Sequence, residues 1–368
     1  MQYKAFKNEI SLSCLGMGVM RLPVRGGDAD IDYEKAQAII DAAMESGINY
    51  YDTAYIYHGG KSEEFLGAAL SRYPRDSFYV ADKYNLQAEP DYRKQFSEQL
   101  RRLGMDRIDF YLLHGIQDSF AGEILANGSI EYFDGLKKAG KIRYFGFSFH
   151  GSAPMLRKIL AAYPWDFVQM QLNYYDWYCG SAKELYEILE VAGLPVMVME
   201  PVHGGMLANL CPDAAEALHK LDGSRSPASW AIQWVINRPQ VQVVLSGMSD
   251  PAQLADNAAT VSAAAPLSEE ENAAIRDAAQ LQYAGVAVPC TGCRYCCPSC
   301  PMELDIPLLL REYNEAKIGG AWRFTGVYAL DEDKRPTSCI GCGACTQHCP
   351  QSLDVPKYME EMKQMMRR

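Results

Sequence analysis

The sequence of 368 residues lacks long hydrophobic runs and an excess of positive charge. None of its apolar stretches approaches the roughly 20 residues that a membrane-spanning helix requires, so we expect no membrane partner. The formal net charge is −11, and a chain without excess Lys and Arg does not suit general nucleic-acid binding. The first residues, MQYKAFKNEISLSCLGMG, also lack the apolar core and cleavage site of a signal peptide, so we expect a cytoplasmic protein.

Two common nucleotide-binding motifs are missing as well. No G-x-G-x-x-G run is present, which argues against an open dinucleotide-binding sheet. The segment HGGKS at 58–62 resembles the end of a phosphate-binding loop, but Tyr55 stands where that motif requires glycine. The segment is therefore not interpreted as a phosphate-binding loop.

Short apolar runs alternate with amphipathic stretches up to about residue 260. Eight of the runs have strand character, at 14–20, 48–54, 78–84, 107–114, 142–148, 167–173, 195–201 and 241–247. The stretches between them predict helices at 33–46, 62–73, 91–103, 129–139, 153–162, 181–192 and 213–237, the last broken at Pro227. Eight strands separated by helices over about 250 residues predict a closed (β/α)8 TIM barrel, an α/β fold, better than an open sheet.

The ends of these predicted strands carry polar residues. In a (β/α)8 barrel the active site is built at the C-terminal ends of the strands, so such residues would share one rim. Tyr57 follows in the loop after the second strand. The strand-end residues are Asp52, Lys83, His114, Ser148, His150, Gln171, Asn173 and Glu200. Their convergence predicts an active site at that rim.

The segments YYDTAYIYHGGKSEEFLG, VADKYN and DFYLLHG resemble the aldo/keto reductase family, over roughly residues 10–260. The resemblance implies a catalytic tetrad at Asp52, Tyr57, Lys83 and His114. It also implies NAD(P)H-dependent reduction of a small-molecule carbonyl, or oxidation of the corresponding alcohol.

The chemistry of carbonyl reduction agrees with these roles. A tyrosine with a pKa near 10 is a poor acid at neutral pH, and an adjacent ammonium such as Lys83 lowers that pKa. Asp52 would keep Lys83 charged, while His114 would orient the carbonyl oxygen or share the proton. Tyr57 is therefore our candidate acid and base. Because the chain has 23 tyrosines, an ordinary loop aromatic stays the alternative.

The resemblance also implies cofactor contacts, although the match is incomplete. Ser148 and Gln171 correspond to residues that hold the nicotinamide amide, but Phe149 replaces the expected Asn. Met199 occupies the position of the usual stacking aromatic ring. The remaining candidate cofactor contacts are Glu200, Ser246 and Asn257.

The region after the eighth strand bears on the choice of nucleotide. It has no Lys or Arg between Val241 and Asn257 to meet an adenosine 2′-phosphate, and Asp250 and Asp256 would repel one. NADH and NADPH both stay open as cofactors, and a flavin does too.

Cysteine is scarce in most of the chain, yet nine of the twelve cysteines fall between Cys290 and Cys349. In a reducing cytoplasm this density indicates a metal or redox site rather than disulfides. The spacing C-x2-C-x2-C-x3-C-P occurs twice, as in bacterial ferredoxins, where the fourth cysteine of each run ligates the other cluster. It predicts two [4Fe–4S] clusters, one on Cys290, Cys293, Cys296 and Cys349 and one on Cys339, Cys342, Cys345 and Cys300.

A zinc ribbon fits these runs less well, because it needs two cysteine pairs rather than two quartets followed by proline. Cys297 is left over, either as a buried thiol or as a substitute ligand. We expect a barrel domain at 1–284, closed by a helix at 265–282, and a ferredoxin-like domain at 285–368. A ferredoxin-like tail also matches one branch of the resembled family.

The purpose of the clusters stays open at this point. Hydride transfer moves two electrons and needs no cluster, whereas a [4Fe–4S] centre passes single electrons. The clusters could exchange electrons with a protein partner during carbonyl chemistry. Alternatively, they could serve a structural, docking or one-electron role in a barrel redox protein with little carbonyl reductase activity.

Overall fold

The structure is a computed structural model that describes residues 1–319 and 324–366. No helix in these two stretches is long and apolar enough to cross a membrane.

The chain divides into two compact units. The first comprises Met1–Pro201 and Ser224–Asn272, and the second comprises Val202–Gly223 and Ala273–Arg368. The second unit therefore includes a segment from the middle of the chain as well as the cysteine-rich region. The domain boundary expected after residue 284 stays a prediction.

The first unit contains a closed barrel of eight parallel strands preceded by an antiparallel hairpin. The strands are β1 (Tyr3–Phe6), β2 (Ile10–Ser13), β3 (Leu15–Gly18), β4 (Tyr50–Asp52), β5 (Tyr79–Tyr84), β6 (Ile108–Ile116), β7 (Ile142–Phe149), β8 (Phe167–Gln171), β9 (Val196–Met199) and β10 (Val241–Ser246). Strands β3 to β10 pair in chain order, and β10 closes the barrel on β3. The predicted (β/α)8 barrel is confirmed.

The helices lie close to their predicted positions, with ends that differ by a few residues. They are α1 (Tyr33–Glu45), α2 (Lys61–Leu70), α3 (Tyr92–Leu103), α4 (Ala121–Ala126), α5 (Ser129–Lys138), α6 (Ala153–Ala162), α7 (Tyr174–Cys179), α8 (Ala182–Val191), α9 (Pro212–Leu221), α10 (Pro227–Ile236), α11 (Pro251–Ser262), α12 (Glu269–Gly285), α13 (Ile306–Gly319), α14 (Thr325–Tyr328), α15 (Ala344–Gln347) and α16 (Val355–Met366). Our prediction did not include α4, α7, α11, α14, α15 or α16.

Local sequence explains where the helices begin. The break predicted at Pro227 is present, because proline lacks an N–H and suits the first position of a helix, here α10. The hydroxyl of Ser226 caps α10 by accepting a hydrogen bond from the N–H of Ser229. Helix α12 begins later than predicted. Ser268 and Glu271 form a reciprocal capping box there, with distances of 3.1 and 2.7 Å.

The hairpin of β1 and β2 supplies core residues at the N-terminal end of the barrel. Phe6 is fully buried, and its ring lies 4.8 Å from that of Tyr144 and 5.4 Å from that of Phe110 in edge-to-face geometry. It belongs to a core with residues from the early parts of the barrel strands. This hydrophobic end leaves the opposite rim for polar residues.

The second unit has its own apolar core. The buried members include residues of α13 and α16, and two cysteines of the predicted cluster ligands, Cys296 and Cys345, belong to the same core. Five partly buried cysteines and other side chains pack around it, so the cysteine runs are part of the folded interior rather than a surface appendage.

The loop that follows β9 packs against the start of the first cysteine run within this unit. His203 Nε2 donates to the carbonyl oxygen of Pro289 at 3.2 Å. Gly204 has φ +65°, and a Cβ there would lie 2.1 Å from the carbonyl oxygen of Thr291. Gly205 has φ +96°, but a Cβ there would meet no atom within 4 Å. The two glycines thus share the left-handed backbone region and differ in packing.

We predict that Gly204→Ala destabilises the protein more than Gly205→Ala. Both changes place a side chain at positive φ, which costs about 1–3 kcal/mol. Only Gly204→Ala adds an overlap with the Thr291 backbone, which costs about 1–3 kcal/mol more. Urea denaturation of the two variants and the parent, followed by circular dichroism, gives the comparison. Equal losses in the two variants would show that the Gly204 contact is unimportant.

Candidate active site and cysteine cavities

The centre of the candidate active site is an ion pair between neighbouring strands. Asp52 ends β4 and Lys83 lies in β5, and both side chains are almost completely buried. Lys83 Nζ donates to Asp52 Oδ1 and to the carbonyl oxygen of Thr53, both at 2.6 Å. Burial raises the pKa of Asp52, and the ammonium of Lys83 acts against that increase. The pair therefore holds a cation under the rim.

Two aromatic rings complete the group predicted as a tetrad. Lys83 Nζ lies 5.0 Å from the centroid of the Tyr57 ring. The His114 ring lies 5.9 Å from the Tyr57 ring, with an interplanar angle of 83°. Asp52, Tyr57, Lys83 and His114 are thus brought together in one place, and their catalytic roles stay predictions.

The hydrogen bonds of His114 define its tautomer. Asn85 Oδ1 accepts from the N–H of Ala88 at 2.9 Å, which fixes the orientation of the Asn85 amide. Asn85 Nδ2 is then the donor to His114 Nδ1 at 3.2 Å, so the ring proton lies on Nε2. Burial, reinforced by the charge of Lys83, holds the pKa of His114 well below its usual value. His114 is therefore a neutral hydrogen-bond donor.

The loop that carries Tyr57 is held by a buried histidine. His58 has φ 51° and is 2% exposed. Its Nδ1 contacts the carbonyl oxygen of Asp28 at 2.6 Å, and its Nε2 accepts from the N–H of Leu22 at 3.2 Å. These contacts connect the Tyr57 loop to the segment after β3 and restrict its conformations.

The predicted nicotinamide contacts have protein partners in this structure. Ser148 Oγ accepts from the N–H of Gly115 at 2.6 Å. Gln171 Nε2 and Asn173 Nδ2 both donate to Asp176 Oδ2, at 2.7 and 2.6 Å. Asp176 lies in α7, which Asn173 caps through the N–H of Asp176. Sequence reasoning missed Asp176, although Asn followed three residues later by Asp is a helix-start pattern.

The other predicted cofactor contacts fall into two places. Glu200 has φ 55°, and its carboxylate lies 3.4 Å from Arg21 Nη2. Ser246 Oγ and Asn257 Nδ2 form a buried hydrogen bond of 3.1 Å between the end of β10 and α11. Arg21 was not among the predicted residues. The cofactor role of all three predicted residues stays a prediction.

The eight predicted cluster ligands line two cavities of the second unit. One cavity is lined by Cys290, Cys293, Cys296 and Cys349, and the other by Cys300, Cys339, Cys342 and Cys345. These are the two crossed sets predicted from the spacing. Ile306 and Val355 line both cavities, so the two cavities are neighbours.

The chemistry of the cavities fits iron–sulfur clusters. Each combines four thiols with apolar side chains, and thiolate ligation is what [4Fe–4S] clusters require. Backbone N–H groups also face the sulfurs: Gly292 N donates to Cys290 Sγ at 3.4 Å. Within the described residues, no three His, Cys, Asp or Glu side chains surround a single metal-ion position. Cys297 packs against the surrounding core.

Comparisons with known proteins agree with both parts of the chain. The sequence model of the aldo/keto reductase family matches residues 14–280, and that of a 4Fe-4S dicluster domain matches residues 289–353. The NADH-specific methylglyoxal reductase of Escherichia coli is 26% identical over 306 residues, which cover 69% of this chain and 91% of that protein. The L-galactose dehydrogenase of Arabidopsis thaliana is 27% identical over 279 residues, covering 68% and 85%.

Solved structures show the same likeness. The holo form of an aldo-keto reductase from Bacillus halodurans is 28% identical and aligns with a TM-score of 0.64, covering 76% of this chain and 97% of that one. The family match extends over most of the chain and contains the whole barrel. The chain therefore belongs to the aldo/keto reductase family and carries a C-terminal, ferredoxin-like 4Fe-4S dicluster domain.

Proposed function

We propose that this protein is an oxidoreductase that reduces a small carbonyl compound with a nicotinamide cofactor, or oxidises the corresponding alcohol, using Tyr57 as acid and base. The observation that carries the proposal is the position of Lys83, whose Nζ is 5.0 Å from the Tyr57 ring and 2.6 Å from Asp52. A nearby ammonium favours loss of the phenol proton. Bound nicotinamide would supply or accept the hydride.

Each residue then has a role in moving or holding the proton. In reduction, Tyr57 donates its hydroxyl proton to the carbonyl oxygen as negative charge develops there. His114, neutral and protonated on Nε2, donates a hydrogen bond that orients the same oxygen. Asp52 keeps Lys83 charged without contributing to proton transfer. In the oxidation direction, the Tyr57 phenolate removes the alcohol proton.

The nicotinamide would be held by the hydroxyl and amide groups of Ser148 and Gln171, with Glu200, Ser246 and Asn257 as further contacts. Four of these groups lie at or directly after the C-terminal ends of β7 to β10, and the catalytic candidates lie at the same ends of β4 to β6, which supports a cofactor at the same rim.

NADH is the favoured nucleotide. The region between Val241 and Asn257 has no Lys or Arg for a 2′-phosphate. Asp250 caps α11 by accepting a hydrogen bond of 2.9 Å from the N–H of Gln253, and Asp256 accepts one of 2.6 Å from Ser226 Oγ. These bonds hold both carboxylates in the region where they would repel a 2′-phosphate. The relative from E. coli is also an NADH-specific enzyme by name.

The cysteine cavities would hold two [4Fe–4S] clusters that pass single electrons. The neighbouring cavities support transfer between the clusters, and the exposed ligand Cys342 supports exchange with an electron-transfer protein. Coupling this transfer to hydride chemistry requires a flavin or a radical-capable substrate. A structural or docking role with little carbonyl reduction is the second candidate, because cysteine ligands lie within the core of the second unit.

We predict that Tyr57→Phe lowers kcat for carbonyl reduction by about 10²–10⁴-fold, because the variant loses the proton donor. The iron content and visible spectrum should not change. Tyr55→Phe is the matched control, since the Tyr55 hydroxyl binds Glu98 at 2.7 Å instead. NADH-dependent reduction of a panel of small aldehydes and ketones measures both variants. Full activity in Tyr57→Phe would contradict the assignment.

We predict that anaerobically purified protein contains about eight iron and eight sulfide ions per chain, as two [4Fe–4S] clusters require. Cys349→Ser should lose about half of the iron, because it removes one ligand from one cavity. Cys297→Ser should keep the full content. Metal and sulfide analysis with an absorbance spectrum tests this, and zinc in place of iron would overturn the cluster proposal.

We predict that NADH binds at least as tightly as NADPH. Asp250→Asn should improve NADPH affinity by about two- to fivefold relative to NADH, because it removes one exposed negative charge. Asparagine still caps α11, which limits structural effects. Fluorescence titrations with both nucleotides give the ratio. Selective tight binding of NADPH by the parent protein would contradict the proposed preference.

A further inference from the structure

Two carboxyl groups are buried behind the catalytic lysine. Asp82 immediately precedes Lys83 in β5, and Glu63 lies in α2; both residues are 0% exposed. Asp82 Oδ2 is buried and receives no hydrogen bond from a donor in the described residues, and the Glu63 carboxyl is the neighbouring group that can share a proton with it. Two buried carboxylates in contact repel each other strongly, so such a pair retains one proton.

The other contacts of the pair show where the proton lies. Burial raises the pKa of Glu63, but its hydrogen bonds from Arg102 Nη1 at 2.7 Å and Gln99 Nε2 at 3.0 Å act against that increase and favour its carboxylate form. Asp82 Oδ1 accepts from the backbone N–H of Lys83 at 2.8 Å. Burial and the charge of Glu63 hold the pKa of Asp82 well above its usual value. The proton therefore belongs to Asp82.

The buried charges balance with this assignment. Lys83 pairs with Asp52, and Arg102 pairs with Glu63. Arg102 also contacts Glu98, whose side chain is 27% exposed, and Tyr111 donates its hydroxyl to Gln99 Oε1 at 2.6 Å and is neutral. An ionised Asp82 would add a second carboxylate near Lys83 without a further cation.

The same network contacts the backbone on both sides of the catalytic group. Gln99 Nε2 donates to the carbonyl oxygen of Lys83 at 3.0 Å, while Asp82 accepts from the N–H of Lys83. Arg102 Nη1 donates to the carbonyl oxygen of Tyr55 at 3.3 Å, and its guanidinium lies 4.3 Å from the Tyr55 ring centroid. Tyr55 begins the turn that leads to Tyr57, so the network reaches both catalytic residues through their backbone.

We propose that neutral Asp82, together with Glu63, Gln99 and Arg102, forms a positioning network that fixes Lys83 and the Tyr57 loop for proton transfer. These are positioning residues, since they act through the catalytic pair. The inference rests on the proposed role of Tyr57 and Lys83. Because Asp82 is neutral, the ammonium of Lys83 acts on Tyr57 with Asp52 as its carboxylate partner.

Two variants test the neutral carboxyl of Asp82 and the ionised carboxyl of Glu63 separately. Asp82→Asn keeps a neutral side chain that donates to Glu63 and accepts from the Lys83 N–H, so kcat and KM should change by less than about threefold. Glu63→Gln removes this carboxylate from the guanidinium of Arg102, whose side chain is 14% exposed. It should lower kcat by about 10- to 100-fold through misplacement of Tyr57, while KM for NADH changes little.

Glu98→Gln is the matched control for the Arg102 partner. Glu98 contacts Arg102 Nη2 at 2.9 Å, but its side chain is 27% exposed, so water can replace the lost contact. Its kcat should therefore stay within about threefold of the parent value. Comparable losses in Glu98→Gln and Glu63→Gln would contradict a specific role for the buried carboxylate.

An infrared measurement tests the proton directly and needs no turnover. The parent protein at neutral pH should show the carbonyl stretch of a protonated carboxylic acid that is absent in Asp82→Asn and retained in Tyr57→Phe. If Tyr57→Phe keeps full activity, the proposed catalytic role of Tyr57 is wrong. The infrared band still shows whether Asp82 is protonated, because it does not depend on catalysis. The network proposal is overturned if Asp82→Asn removes no such band, or if it lowers kcat by about 10-fold or more relative to the parent protein. Both criteria hold even if Glu63→Gln does not fold.

Discussion

The ion pair between Lys83 and Asp52 is the constraint on which the polar end of the barrel depends. Removing two charges from water costs several kcal/mol per ion, and only close contacts with additional hydrogen bonds offset it. Lys83 obtains these from Asp52 and from the carbonyl oxygen of Thr53. Asp52 is the last residue of β4 and Thr53 follows it directly, so the pair requires β4 and β5 to keep their register. The hydrophobic packing around Phe6 at the other end of the barrel supports that register without competing for space at the rim.

The sequence made the position of this site predictable because the strands are short and apolar. Asp52, Lys83 and His114 interrupt or end apolar runs on three successive strands, and parallel strands in a barrel bring such positions to one rim. The cysteine sets were predictable for a different reason. The same spacing occurs in two runs, and in ferredoxins three cysteines of one run share a cluster with the fourth cysteine of the other. The spacing therefore predicts which thiols share a cavity, and the structure has the same two sets.

The features that escaped prediction depend on contacts between residues distant in sequence. The four-residue strands of the hairpin are too short and too mixed in polarity to stand out, and their function is revealed by Phe6 and Leu12, which pack into a core with residues more than a hundred positions away. Asp82 lies in the strand segment VADKY. Because successive side chains of a strand point to opposite faces, the sequence alone would allow this carboxyl to face solvent. Its burial follows from Glu63, which approaches it from α2. Ser148 was identified as a cofactor contact, but its bond to the Gly115 N–H could not be read from sequence.

The role of the clusters is tied to the way the chain divides. The segment 202–223 belongs to the second unit, although it directly follows β9 of the barrel. Within that unit His203 is 1% exposed and donates to the carbonyl oxygen of Pro289, beside the predicted ligand Cys290. A chain cut before residue 285 would leave this buried donor without its acceptor, which costs about 1–3 kcal/mol. Truncation therefore disturbs the loop after β9 as well as the clusters. Electron transfer and structural support can only be separated by changes confined to the cysteine cavities.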